Sequence, residues 1–202
     1  MPTHVPPVAN ETEAIAGYLE KQQTAFRAAI YGLTAEQAAL ANAPGTLTVG
    51  GLVKHVAQVQ EQWLSLVRSA ADPSEDAIGF TDYAAYEAAF RFEPTDTVEA
   101  VVAAYDEVCA RVLDAVRTID LDTPVPVPEA PWFPDDVDAW SARWVWFHLL
   151  QELGRHAGHA DIVREGIDGA TSYELLAAVE NWPETPWLKP WRPSARPSEV
   201  GA

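Results

Sequence analysis

Apolar side chains recur along this chain at a helical period in four long stretches, whereas the strict alternation that indicates strands is scarce. The first stretch follows Asn10, a predicted N-cap, and the third is predicted to follow an N-cap at Thr95 or Asp96. The fourth ends where Gly166 and Gly169 interrupt the pattern. The four stretches cover roughly residues 11–33, 48–70, 96–117 and 140–166.

Shorter helical patterns and one proline-rich connection complete the predicted secondary structure. The segment DLDTPVPVPEAPWFPDDVD contains too many prolines for a helix and predicts a long crossover connection before the fourth helix. Short helices are predicted at residues 33–40, 84–90 and 172–180. We predict an all-α fold, a four-helix bundle with one long crossover, short extra helices and a proline-rich C-terminal tail. Its predicted parts are an N-terminal arm (1–10), the bundle (11–180) and the tail (181–202).

Composition and charge argue against several classes of protein. The 202 residues are 48% hydrophobic and include eight Trp, as expected of one packed domain. A formal net charge of −17 argues against a nucleic-acid partner and against an anionic membrane surface. We find neither a signal peptide nor the run of about 18 apolar residues that a membrane span needs, so we expect a cytoplasmic protein. The single cysteine, Cys109, excludes an internal disulfide and is expected to be a small buried residue.

The fourth helical stretch carries polar side chains on its apolar face. In the segment ELGRHAGHADIVRE, Glu152 and His156 lie within about 20° of the centre of the apolar stripe that includes Val145 and Val163. A carboxylate at a core position is costly unless it is paired or binds a metal. Because the two residues are one turn, about 6 Å, apart, their side chains can converge on one ion.

A third ligand is expected from another helix, and His55 in GLVKHVAQVQEQW lies at the edge of the apolar face of the second stretch. His55, Glu152 and His156 would form a set of two imidazoles and one carboxylate that leaves positions open for water or substrate. Such a set suits Zn, Ni, Fe or Mn, with Zn as the first choice. Two metal-free interpretations stay open: Glu152 and His156 as a buried pair, and His55 as a satisfied histidine at the core edge.

Several other residues near these three have more than one interpretation. His148 points about one turn away and is expected to be structural or to support the ligands. His159 is interpreted as a fourth ligand, a proton shuttle or a wall residue. Gly154 and Gly158 indicate either a close neighbouring helix or mere tolerance of glycine. Three residues are expected to be solvated or helix-end charges: Asp161, Arg164 and Glu165. Four tryptophans are expected to form a second apolar layer or a pocket wall: Trp132, Trp140, Trp144 and Trp146.

The strings GLVKHVAQVQEQW and WFHLLQELGRHAGHADIVREGIDG resemble the DinB-like superfamily, specifically its actinobacterial DUF664 branch. The resemblance covers roughly residues 11–170, and RHAGHAD in its setting is a specific string. It implies a four-helix bundle with a long crossover and a divalent metal between helices, with His55, Glu152 and His156 as the ligands. The related mycothiol-dependent maleylpyruvate isomerases also have glutamate at the position of Glu152.

The resemblance also implies a chemistry. In the superfamily, the metal activates a low-molecular-weight thiol, such as mycothiol or bacillithiol, for transfer or isomerisation reactions of small-molecule substrates. By this interpretation the charge of the ion deprotonates a bound thiol or water, and His159 receives the proton. An anionic thiol cofactor needs cations nearby, and the candidates are Arg155 and Arg164, together with Arg143.

Three functions are compatible with these residues. They are a metal-dependent thiol S-transferase or isomerase, a non-catalytic metal-binding stress or interaction module, and a metal-free helical scaffold. An accessible cavity beside the metal favours the first, a closed metal site favours the second, and an arginine paired with Glu152 favours the third. Pairing of two copies through helix faces is also compatible with the sequence, which does not fix a homodimer.

Overall fold

The four long helices predicted from the sequence are present in the computed structural model, which describes residues 4–41, 45–80 and 83–193. The elements in chain order are α1 (Glu11–Ile30), α2 (Ala35–Ala38), α3 (Val49–Ala71), α4 (Tyr83–Ala89), α5 (Val98–Thr118), β1 (Pro124–Pro126), β2 (Ala139–Ser141), α6 (Ala142–Asp168) and α7 (Ser172–Val179). The predicted all-α bundle is confirmed. Residues 1–3 of the predicted arm and 194–202 of the predicted tail lie outside the described residues.

The long helices form a bundle because each buries one apolar face. α3 packs against α5 and α6, and α1 packs against α6 and α5. Fully buried side chains between them include Leu19, Phe26, Leu52 and Leu149. Cys109 is buried as predicted, and burial raises the pKa of its thiol to about 11. Among the described helices, none is both long and apolar enough to cross a membrane.

Two predicted helix ends differ from the structure. Thr97 is the N-cap of α5, because its side-chain oxygen accepts a hydrogen bond from the backbone N–H of Ala100 at 3.1 Å. The prediction of Thr95 or Asp96 is therefore wrong, since the carboxylate of Asp96 instead closes the preceding turn by accepting from the N–H of Glu93. The end of α6 at Gly169 is confirmed, because Gly169 is its left-handed C-cap, whereas the interruption predicted at Gly166 is wrong, since the helix continues through that residue.

The proline-rich connection between α5 and α6 is not a plain loop, because its two ends pair as the antiparallel strands β1 and β2. Val125 is fully buried, whereas Pro124 and Pro126 face outward. Proline is tolerated in both outward positions because a two-stranded sheet consists of edge strands only. The string PVPVP therefore contains the period-two alternation of a strand, which its proline content obscures.

Arg164 is fully buried, so it is not a solvated charge; of the two predicted alternatives, the helix-end charge describes it, because it lies at the end of α1. Its guanidinium donates to the carboxylate of Asp168 and to the backbone oxygens of Ala29 and Tyr31, at 2.7 and 2.8 Å. These two oxygens belong to the C-terminal end of α1, where carbonyl groups lack partners within the helix. Arg164 thus ties the end of α1 to α6.

Two adjacent glycines at the start of α3 let another segment of the chain cross this helix closely. A Cβ on Gly51 would lie 2.0 Å from the backbone oxygen of Phe90, and a Cβ on Gly50 would lie 2.2 Å from the ring of Phe92. Both phenylalanines follow α4 in the chain. The glycine pair therefore allows α4 and the residues after it to lie on α3.

Gly51→Ala is expected to lower the free energy of unfolding by about 1–3 kcal/mol, because the added methyl group meets backbone that no side-chain rotation can move. The control is Gly158→Ala in α6, where nothing lies within 4 Å of the new Cβ. This substitution at an exposed position is expected to raise the free energy of unfolding by up to about 1 kcal/mol, because alanine has a higher helix propensity than glycine. The open space also excludes a close neighbouring helix as the reason for Gly158. Urea unfolding followed by circular dichroism measures both variants, and equal effects would contradict the close crossing.

Asp161→Asn is expected to stabilise the protein at pH 7 and to lose this advantage as the pH falls towards 4. Asp161 is partly buried rather than solvated, and burial raises its pKa from 3.8 to about 6. Above pH 6 the folded state holds a penalised carboxylate, whereas below the unfolded pKa both states are protonated and the penalty vanishes. Thermal unfolding of variant and wild type across this range measures the difference. A difference independent of pH would contradict the assignment to the buried carboxylate.

Candidate metal centre and aromatic cleft

His55, Glu152 and His156 come together between α3 and α6. Each offers one ligand atom, and these three atoms all lie within 4.8 Å of one another. Oε1 of Glu152 lies 3.5 Å from Nε2 of His55 and 3.3 Å from Nε2 of His156. Glu152 and His156 share a helix face because they are one turn apart, and His55 reaches them because α3 packs directly on α6. We call these three residues the cluster; it is a group that can hold a metal ion.

His55 lies deeper than the edge position that the helical period predicts. Its side chain is fully buried. The ring of Phe90 stacks on it with 3.7 Å between centroids, and Tyr86 approaches edge-on at 5.3 Å. Tyr86 belongs to α4 and Phe90 follows it, so the segment that crosses Gly51 is also the cover over His55.

The side chain of His55 is buried without a hydrogen bond. Neither Nδ1 nor Nε2 has a hydrogen-bond partner in the described part of the chain, since the approach to Glu152 is long. Burial lowers the pKa of His55 despite the opposing effect of Glu152, so the neutral imidazole is favoured. The imidazoles of His156 and His55 hold the pKa of Glu152 well below its usual range. Orphaned imidazole nitrogens beside an ionised carboxylate fit a divalent cation, which would supply the missing partner.

His159 contacts the far side of His156 rather than the centre of the cluster. Its Nδ1 lies 3.4 Å from Nδ1 of His156, so one ring donates and the other accepts. The opposite nitrogen of His156, Nε2, faces Glu152. A contact on Nδ1 therefore suits a residue that fixes the orientation of His156.

A cleft of about 430 Å³ adjoins the cluster, and Glu152 forms part of its wall. Five aromatic side chains line this aromatic cleft: Trp63, Phe80, Tyr86, Trp132 and Phe133. The other described lining residues are Val59, Gln62, His148 and Glu152. Small-molecule sites typically enclose roughly 300–1,000 Å³, so the cleft has the size of one. It gives a small molecule access to one side of the cluster.

His148 belongs to a stacked aromatic layer beside the aromatic cleft. Its ring stacks on Trp144 with 5.3 Å between centroids, and burial lowers its pKa. Trp144 in turn stacks on Trp140 at 4.2 Å. The two interpretations of the tryptophans both apply, because Trp132 lines the cleft whereas Trp140 and Trp144 form the layer behind it. Trp146 is fully buried in the core.

Two of the three arginines predicted to hold a cofactor are engaged elsewhere in the structure. The guanidinium of Arg164 is committed to Asp168 and the end of α1, which leaves it no part in holding a thiol. Arg143 pairs with Glu11 and Asp122. Arg155 is exposed on α6 and does not line the cleft, so its role stays a prediction.

Five aromatic residues of the site are absent from the candidates predicted from the sequence: Trp63, Phe80, Tyr86, Phe90 and Phe133. The signal that could have found Phe80, Tyr86 and Phe90 is the recurrence of aromatic residues through the segment FTDYAAYEAAF, at spacings of three and four. A helix this short is marginal in isolation, and an aromatic stripe on it needs a partner surface. That surface is α3 with His55.

Comparison with known proteins assigns the chain to a family. The profile of a family described as mycothiol S-transferase matches residues 14–169. The chain belongs to the mycothiol S-transferase family. No curated protein matches the chain at a significant level. Among solved structures, a conserved protein from Enterococcus faecalis is similar with a TM-score of 0.57 and 14% identity, covering 81% of this chain and 100% of that one. At this identity the likeness shows the fold alone.

The match to the mycothiol S-transferase family confirms the resemblance to the DinB-like superfamily. It includes the cluster, His159 and the described lining of the aromatic cleft, and it ends at Gly169, the C-cap of α6. The segment after α6 lies outside the match. It includes α7 and Trp191, whose ring packs against Arg164.

Protein purified without added metal is expected to hold about one equivalent of a divalent cation, and His55→Ala and His156→Ala are each expected to lose it. His159→Ala is expected to bind the metal with about 10–100-fold lower affinity, because it removes the contact that orients His156 but leaves all three ligands in place. The matched control is His148→Ala, a histidine of the same helix outside the group of three. Elemental analysis and chelator competition measure these effects. Stoichiometric metal in both cluster variants would exclude His55 and His156 as ligands.

Proposed function

We propose that the chain is a divalent-metal-dependent thiol S-transferase that joins mycothiol, or a thiol like it, to a small electrophile. The observation that carries this proposal is the buried, unpartnered imidazole of His55 beside Glu152 at the wall of an open cleft. The family supports the thiol, and the accessible cleft supports catalysis over a closed structural metal site.

His55, Glu152 and His156 would hold the metal, and zinc is the first choice because three nitrogen and oxygen ligands with an open position are typical of catalytic zinc. When bound, the cation would supply the positive charge that favours the deprotonated form of a thiol. Cys109 is not required as a nucleophile, because its thiol is buried and its pKa is raised to about 11. The sulfur comes from the cosubstrate.

The residues around the cluster have positioning roles. His159 would keep Nε2 of His156 directed at the cluster through the contact between the two Nδ1 atoms. This role fits the contact better than direct acceptance of the thiol proton, which is expected to pass to solvent. Phe90 and Tyr86 fix the ring of His55 and exclude water from it. Arg155 stays a candidate for holding the thiol from the exposed side of α6.

The transfer itself balances without an oxidant or reductant. The thiol sulfur forms a bond to an electrophilic carbon of the acceptor, and the leaving group departs with the electron pair of the bond that breaks. The thiol loses one proton. For an acceptor with a chloride leaving group, the products are therefore one thioether, one chloride ion and one proton.

Zinc-loaded protein is expected to accelerate the formation of a dinitrophenyl thioether from mycothiol and chlorodinitrobenzene, with one proton released per thioether. His55→Ala is expected to fall to the uncatalysed rate, because a ligand of the proposed metal is lost. Trp187→Ala is the control, since Trp187 is 68% exposed and does not line the aromatic cleft. Absorbance of the thioether measures the rate. A wild-type rate equal to the uncatalysed rate with this and other electrophiles would favour the non-catalytic metal-binding module.

A further inference from the structure

We infer that the aromatic cleft is the acceptor site and that it selects an uncharged, flat, aromatic or conjugated electrophile over one that carries a carboxylate. The identification of the bound ligand as the acceptor rests on the proposed function. The preference for an uncharged ring rests on the lining of the cleft alone, so binding measurements can test it without any reaction.

The shape of the cleft suits a flat ring. Trp63 lies at its base, with the rings of Phe80 and Phe133 at 4.9 and 5.9 Å in edge-on arrangements. Trp132 is 56% exposed although it is a large apolar side chain, and it lines the cleft from the connection before α6. An aromatic ligand between such rings would gain both burial of apolar area and ring–ring contacts.

The charge of the cleft disfavours an anion. Among its described lining residues there is no lysine or arginine, and Glu152 is the one carboxylate. A carboxylate on the ligand would lose its water of hydration without gaining a cationic partner. A thiolate bound to the cation of the proposed function would offset the charge of that cation, so the selection is to be measured with the thiol present or with the cation removed.

The neutral polar groups of the cleft are too few for a hydroxyl-rich ligand. Apart from Glu152, the described lining offers the amide of Gln62, the imidazole of His148, the hydroxyl of Tyr86 and two indole N–H donors. The amide of Gln62 already approaches the backbone oxygen of Gly79 at 3.5 Å. A sugar-bearing thiol has more hydroxyl groups than these groups can pair, and each unpaired group is costly when buried. The polar portion of the thiol is therefore placed outside the aromatic cleft.

The test compares two unreactive probes of the same ring by equilibrium dialysis, uncharged dinitrotoluene and anionic dinitrobenzoate, each with both nitro groups meta to the third substituent. It uses the zinc-loaded chain with mycothiol present and the chain after dialysis against EDTA without thiol. We expect dinitrotoluene to bind at least about tenfold more tightly than the benzoate in both forms. Trp132→Ala is expected to lower the affinity for dinitrotoluene by about tenfold, which is the effect of losing one good ring–ring contact. Trp187→Ala is the matched control, a more exposed tryptophan that does not line the cleft, and is expected to bind as wild type does.

The outcomes separate this inference from the proposed function. Equal binding of the two probes, or an unchanged affinity in Trp132→Ala, would overturn the inference even if thioether formation is observed. Displacement of dinitrotoluene by mycothiol alone would also overturn it, because the thiol would then occupy the cleft. If the chain binds the uncharged probe selectively and through Trp132 but forms no thioether, the assignment of the cleft is supported and the proposed S-transferase activity is contradicted.

Discussion

The negative charge of Glu152 is the constraint on which the site depends. Its side chain is 20% exposed between two packed helices, and its Oε1 lies 3.5 Å from Nε2 of His55 and 3.3 Å from Nε2 of His156. No arginine in the described part of the chain pairs with it, so the contact that would indicate a metal-free scaffold is not found there. Burial favours the neutral form of His55, so this imidazole does not cancel the charge. A divalent cation would satisfy the carboxylate and the orphaned Nε2 of His55 together.

The cover over His55 links this site to the fold. Phe90 can stack on the imidazole only because the chain after α4 crosses α3 at a distance that any side chain on Gly51 would forbid. The crossing costs helix propensity at the start of α3, since glycine in a helix is unfavourable by about 1 kcal/mol relative to alanine. The structure therefore gives up some local stability at one helix end and gains a buried, oriented imidazole. A metal ligand held in this way loses little entropy when the cation binds.

Sequence periodicity was sufficient for the bundle and for the pair Glu152 and His156, because both are properties of single helices. It failed wherever the decisive neighbour lies on another segment. The helical wheel gave the direction of Arg164 but not the unpaired carbonyls at the end of α1 that face it. It placed His55 at an edge because α4, which covers that edge, is distant in the chain. The strand in PVPVP was not predicted, because proline usually argues against a strand. Both strands of a two-stranded sheet are edge strands, where proline is tolerated.

The division between helices and connections also bears on which reaction such a bundle performs. The cluster lies on α3 and α6, whereas Phe80, Trp132 and Phe133 lie in the connections before α4 and α6. Two bundles can therefore share the cluster and still differ in the cleft beside it, because three of the aromatic walls are on connecting segments, which tolerate substitution. A transferase for uncharged rings and an isomerase for carboxylated substrates would differ chiefly in whether those connections place an aromatic or a cationic side chain beside the cluster. In this chain the connections supply aromatic side chains, and the described lining of the cleft offers no lysine or arginine to pair with Glu152.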